Sequence, residues 1–186
     1  ELRDKAYRNA VAHGWHEENL SDEHFLCLVI SELMEAVEAD RKGKHADTKK
    51  FNQEMDYYIH EMKLYGENYD KAYRDTFEYY LKDSVEDELA DACIRLLDLA
   101  GLRGYDLDKL DYEGSDTVDY SEMDFTESMY RICVYVTDGF YNEYYDTLLN
   151  EIFAFCKDRS IDIFWFINQK MKYNELRPYK HGDKSY

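Results

Sequence analysis

An all-α helical bundle is the fold this sequence predicts, and three observations carry it. The 186 residues hold one proline and eight glycines, few breakers for a chain of strands and turns. Apolar residues make up 45% of the chain and recur at three- and four-residue spacings, the period of a helix with one buried face. Ser21, Ser84 and Asp162 stand before three such runs, where a short polar side chain can cap the first free amides. The length suits one domain spanning residues 1–186 and is cramped for two.

Taken in order, the first helix occupies residues 1–14, with Leu2, Ala6, Tyr7, Ala10 and Val11 on one face and Gly14 as its stop. Trp15 and His16 follow in a loop. Ser21 opens a second helix, with Asp22 and Glu23 favoured in its first turn by the helix dipole, running to Arg41–Lys42 before Gly43. Residues 44–82 read as an inserted helical hairpin, Phe51–Tyr65 and Tyr69–Leu81 around Gly66, with a mobile connection at His45–Lys50. Ser84 caps a helix through Leu99 that Gly101 ends. Residues 102–120 are acidic and irregular. Asp111–Glu122 fails as a calcium loop because Asp116 occupies the position that needs glycine. Ser121 begins a helix to Thr137, Gly139 breaks it, and Phe140–Cys156 continues as another. Asp162 caps a last helix through Leu176, closed by Pro178. No repeat period is present.

The formal net charge of −18 repels nucleic acid and anionic membranes, so neither is expected as a stable partner. A nucleotide stays compatible, since a divalent cation can carry its contact with an acidic protein. Cys27, Cys93, Cys133 and Cys156 have no metal-ligand spacing and lie in apolar helical patterns, which reads as buried reduced thiols and a cytoplasmic setting. No apolar run reaches the roughly 18 residues of a membrane span, and no signal peptide is evident.

Two acidic pairs carry the chemistry. Glu32 and Glu35 project as neighbours from the helix that carries the apolar run Phe25–Ile30, and Glu88 and Asp91 repeat that spacing beside a second apolar stripe. One such pair alone is more often a solvated helix face. Two pairs beside two core-forming stripes place four carboxylates together if the helices pack antiparallel, and their repulsion is reversed by a bound cation. Oxygen-only ligands select Mg2+, with Mn2+ as substitute, over zinc. A di-iron carboxylate bundle is the weaker alternative, because the chain contains no Glu-x-x-His. Near the C-terminus, Lys170, Asn174 and Arg177 share one helix face within a basic stretch that includes Lys172, Lys180, His181 and Lys184. Such a face suits phosphate oxygens, with arginine bidentate, lysine as a point charge and asparagine orienting. Its bland alternative is a basic helix end complementing the dipole.

Glu32-x-x-Glu35, Glu88-x-x-Asp91 and the tail Lys170-x3-Asn174-x2-Arg177-x3-His181 together resemble the MazG-like branch of the all-α nucleoside triphosphate pyrophosphohydrolases. The resemblance covers residues 5–43, 83–103 and 160–184, with 44–82 as an insertion and 104–157 as an enlarged acidic and helical region. It implies an all-α NTP pyrophosphatase-type bundle that hydrolyses (d)NTPs between the α and β phosphates, giving the monophosphate and pyrophosphate for nucleotide-pool housekeeping. Glu32, Glu35, Glu88 and Asp91 would then hold Mg2+, with Glu32 or Glu35 taking the proton of the attacking water. Lys170, Asn174, Arg177 and His181 would face the phosphates, Trp15 and His16 would lie near the base, and the protein would be a homodimer or homotetramer. From a different class comes a non-catalytic helical module that binds a nucleotide or a protein, its acidic motifs solvated.

Overall fold

A computed structural model describes residues 1–65, 68–108, 110–111, 117–139 and 145–180. Among the described residues the chain is all-helical: α1 (Leu2–Ala12), α2 (Asp22–Arg41), α3 (Thr48–Tyr65), α4 (Tyr69–Tyr80), α5 (Val85–Leu102), α6 (Phe125–Gly139), α7 (Tyr145–Asp158) and α8 (Ile163–Glu175). Three starts form as their capping residues dictate. Ser21 Oγ accepts from the His24 amide at 3.4 Å, Ser84 Oγ from the Asp87 amide at 3.2 Å, and Asp162 Oδ1 from the Trp165 amide at 3.1 Å. Gly43, at φ +64°, follows α2 as the expected left-handed stop.

Helix α5 is the hub, packed against α1, α2, α7 and α8. Being surrounded, it is apolar on more than one face: Leu89, Ala90, Ala92, Cys93, Leu96, Leu99 and Ala100 are wholly buried. From α2 it receives Val29, Leu33 and Ala36, and α8 contributes Ile167 and Met171. Each large aliphatic side chain buried here adds about 1.5–3 kcal/mol. The hairpin α3–α4 joins this core through Phe51, Met55, Tyr73 and Phe77. Phe77 stacks on Tyr173 of α8 at 4.4 Å between centroids, and Tyr73 Oη donates to the Gln169 carbonyl at 2.8 Å.

Four local expectations change. Residues 45–50, expected as a mobile connector, are tied down. Glu86 accepts from the Ala46 amide at 2.9 Å, Asp47 N–H donates to the Tyr80 carbonyl at 3.0 Å, and α3 already begins at Thr48. Gly101 does not end α5, which runs on to Leu102; Gly104, at φ +64°, lies two residues beyond. Ser121 does not begin a helix, because its amide and hydroxyl both donate to Asp119 in a local turn, and α6 starts at Phe125. Cys27 is exposed on the outer face of α2 and Cys133 half-buried; only Cys93 and Cys156 are buried. The expected start of the seventh helix, residues 140–144, lies outside the described residues. No helix among the described residues is long and apolar enough to cross a membrane.

Gly101 instead lets α1 and α5 touch: a Cβ there would sit 2.6 Å from Tyr7 Cβ. An exposed helical Gly→Ala change ordinarily stabilises by about 1 kcal/mol. Here the sign should reverse, with Gly101→Ala destabilising by about 1–3 kcal/mol as α1 is pushed off α5. Urea denaturation checks it, and a more stable variant would contradict the close approach.

Candidate metal and nucleotide site

The acidic pairs reach the interior because α2 and α5 bury their apolar stripes against each other. On α2, Leu33 and Ala36 are buried, which rotates Glu32 inward and leaves Glu35 on the exposed side. On α5, Glu88 begins a polar stripe that continues with Asp91, Arg95 and Asp98 at helical spacing. Oxygens of Glu32, Glu88 and Asp91 all come within 4.8 Å of one another. The hairpin does not keep the two motifs apart, because its return places Ser84 at the start of α5, where the Val85 amide donates to the Lys44 carbonyl at 3.0 Å.

These three carboxylates stand at the wall of a cavity of about 380 Å3 that Trp15, Glu35, Lys170, Asn174 and Arg177 also line. The site residues expected from the sequence therefore line one cavity, apart from His16, which stands behind the wall, and His181, which lies outside the described residues. Their roles differ, however. Glu35 stands outside the three-carboxylate group. Lys170 is not held out to a ligand: it is 5% exposed, its Nζ lying 2.7 Å from Asp87 Oδ2 and 2.8 Å from Asp91 Oδ2. The Arg177 guanidinium sits 5.8 Å from the Tyr173 ring centroid, at the edge of cation–π range. Asn174 is 7% exposed, and its Oδ1 has no hydrogen-bond partner among the described residues.

Three further residues matter that the acidic motifs did not point to. Arg95 donates to Glu32 Oε1 at 2.5 Å through Nε, with its Nη2 at the same distance from that oxygen. Asp87, one residue before Glu88, shares Lys170 with Asp91. Asp98 meets His16 Nε2 at 2.7 Å. The spacing Glu88, Asp91, Arg95, Asp98 carried this signal in the sequence, since those positions climb one side of a helix. Asp87 had none; only the docking of α8 reveals its partner.

At the separations involved, each pair of ionised carboxylates repels by on the order of 3 kcal/mol at an effective dielectric of about 20. The protein answers in two ways. Arg95 and Lys170 offset Glu32, Asp87 and Asp91, and Lys170 stays charged because Asp91 and Asp87 outweigh its burial. Glu88 instead keeps its proton: burial first, then the Asp91 charge, pushes its pKa up to about 8. Burial, then Asp91, likewise raises Glu32, with Arg95 pulling back. The donor set is all oxygen, with neither histidine nor cysteine among it, which suits a hard divalent cation such as Mg2+ or Mn2+. Comparison of the chain with protein-family models, curated proteins and solved structures finds no match in any of the three.

The raised Glu88 pKa fixes a pH dependence. Between the ordinary 4.5 and about 8, the folded protein holds a proton that the unfolded chain has lost, so metal-free stability falls as pH rises through that window. Glu88→Gln should remove this slope and melt higher than the parent at pH 8, the gap closing toward pH 4.5. Parallel melting curves across pH test it; equal slopes would contradict a buried, proton-holding Glu88.

Proposed function

We propose that this protein is a Mg2+-dependent nucleoside triphosphate pyrophosphohydrolase, cleaving (d)NTPs between the α and β phosphates to a monophosphate and pyrophosphate. The observation that carries the proposal is the meeting of Glu32, Glu88 and Asp91 at the wall of a cavity that Arg177 and Asn174 also line. Metal oxygens on one side and phosphate donors on another are what triphosphate hydrolysis needs. The MazG-like pattern of the three motifs agrees with that assignment.

Glu32, Glu88 and Asp91 would hold the cation, which when bound supplies charge neutralisation on the phosphate oxygens and an activated water. The remaining steps belong to the chain. Arg177 binds phosphate oxygens bidentately, and Asn174 orients the substrate from α8. Glu35 borders the cavity without joining the ligand group, so it is the carboxylate left to take the water's proton; Glu32 is engaged by Arg95. Lys170 positions Asp91 and Asp87 rather than reaching the phosphate directly. Ala6 and Ala10 of α1 and Phe25 and Leu28 of α2 add apolar surface to the cavity wall.

One observation favours the alternative, a non-catalytic helical module for a nucleotide or a protein partner: Arg95 and Lys170 already compensate part of the acidic group. The two proposals separate experimentally. With Mg2+, a panel of the common NTPs and dNTPs should yield pyrophosphate from at least one nucleotide. Glu35→Gln should lower kcat by about 100-fold or more with little change in melting temperature, and Asp91→Asn should abolish turnover. Mg2+ plus nucleotide at about 100 times Kd should stabilise the fold by about 2.7 kcal/mol. Pyrophosphate release that survives both substitutions would remove the site assignment. No release from any nucleotide, with no Mg2+-dependent stabilisation, would favour the non-catalytic module.

A further inference from the structure

The carboxylate group accounts for only one end of the cavity. Ten residues on from Glu88, about 15 Å along the axis of α5, Asp98 lines the same cavity. It is the third acidic position on the α5 stripe, after Glu88 and Asp91, and it takes no part in the three-oxygen group. A carboxylate here cannot serve phosphates, which it would repel. Its surroundings are of another kind. Helix α1 packs against this half of α5, the Tyr7–Gly101 approach lying one turn beyond Asp98. Ala6, Ala10, Phe25 and Trp15 add apolar and aromatic surface to the cavity wall.

Asp98 is also a built position. His16 Nε2 lies 2.7 Å from its Oδ1, and the imidazole is held between Tyr7 and Phe25, with ring centroids at 5.4 and 5.8 Å. His16 Nδ1 is buried with no hydrogen-bond partner among the described residues. A proton on Nδ1 would be stranded there, so the tautomer with its N–H on Nε2, donating to Asp98, is favoured. That contact fixes one carboxylate oxygen and leaves acceptor capacity facing the cavity. His16 does not line the cavity itself; it is a positioning residue behind Asp98.

Resting on the nucleotide-hydrolase proposal, the geometry points to Asp98 as the residue that selects the base, accepting hydrogen bonds from an amino-bearing nucleobase, with guanine fitting best. Guanine presents its ring N–H and exocyclic amino group side by side, two donors for one acceptor-only group. Cytosine and adenine offer an amino group beside a ring acceptor. Uracil and thymine offer one N–H flanked by two carbonyls, which a carboxylate repels. Hydrogen bonds to a carboxylate acceptor discriminate more sharply than shape alone, because a missing donor leaves the Asp98 oxygen that His16 does not engage without a partner.

The test uses nucleoside monophosphates, which contain no α–β bond, so that binding is read apart from turnover. Calorimetric titration with Mg2+ present compares pairs that differ at the exocyclic amino position: GMP with IMP, CMP with UMP, AMP with IMP. At least one amino-bearing member should bind about 10- to 100-fold tighter than its counterpart, GMP over IMP showing the largest ratio. Asp98→Asn, whose amide oxygen can still accept from His16, should collapse that ratio toward one rather than weaken every ligand equally. Equal affinities in all three pairs, a ratio retained in a folded Asp98→Asn variant, or no binding of any monophosphate would each overturn the assignment. Pyrophosphate release without an amino preference would leave the hydrolase standing and remove only the role of Asp98. An amino preference without release would do the reverse.

Discussion

Lys170 carries an ammonium group into the interior and shares it between Asp87 and Asp91. The acidic start of α5 depends on that contact. Glu86, Asp87, Glu88 and Asp91 crowd about one and a half turns of a helix packed against four others. Without a buried cation they would either ionise against one another or stay protonated. Breaking such a pair by removing one partner costs about 3–5 kcal/mol, because the other charge is left stranded. The pair also docks α8 onto α5, and with it Asn174 and Arg177 face the cavity. One ion pair thus sets both the electrostatics of the acidic turn and the placement of the basic helix across from it.

That arrangement leaves a deficit of positive charge. Arg95 answers Glu32 and Lys170 answers two aspartates, while Glu88 has to hold a proton. A protein that only needed a stable helix bundle could use apolar residues of similar volume here at little cost or some gain. A cation entering between Glu32, Glu88 and Asp91 would displace the Glu88 proton and convert repulsion into binding energy. Strain of this kind gathers where a site is prepared for a charged ligand. The opposite end of the cavity shows the complementary design: apolar walls, aromatic side chains, and one carboxylate held by a buried histidine.

Much of this was legible in the sequence where the cause is local. Ser21, Ser84 and Asp162 cap their helices as their side chains dictate, and the Glu-x-x-Glu and Glu-x-x-Asp spacings put acids beside buried stripes. Local rules failed where a distant partner intervened. Gly101 looked like a helix stop, yet it is glycine because Tyr7 of α1 presses against it. Ser121 looked like a helix start, but its amide and hydroxyl both donate to Asp119. The same limit applies at the site. Spacing showed that Glu32 and Glu35 are neighbours, but only the packing of α2 on α5 turns Glu32 inward and leaves Glu35 outside the ligand group. Lys170 read as a phosphate ligand because its partners, Asp87 and Asp91, lie on another helix about eighty positions earlier in the chain. Arg95 and Asp98 were visible only to a search along the α5 face for any charged residue, not for acidic pairs.

The central claim is that Glu32, Glu88 and Asp91 form one cation site while Lys170 keeps its place beside them. Anomalous diffraction from crystals soaked in Mn2+ tests it most directly. The account expects a single strong peak bonded to oxygens of all three carboxylates, with Lys170 still paired to Asp87. No peak among the three, or a peak that forms only where Lys170 has swung away and Asp87 has replaced Glu32 as a ligand, would contradict it.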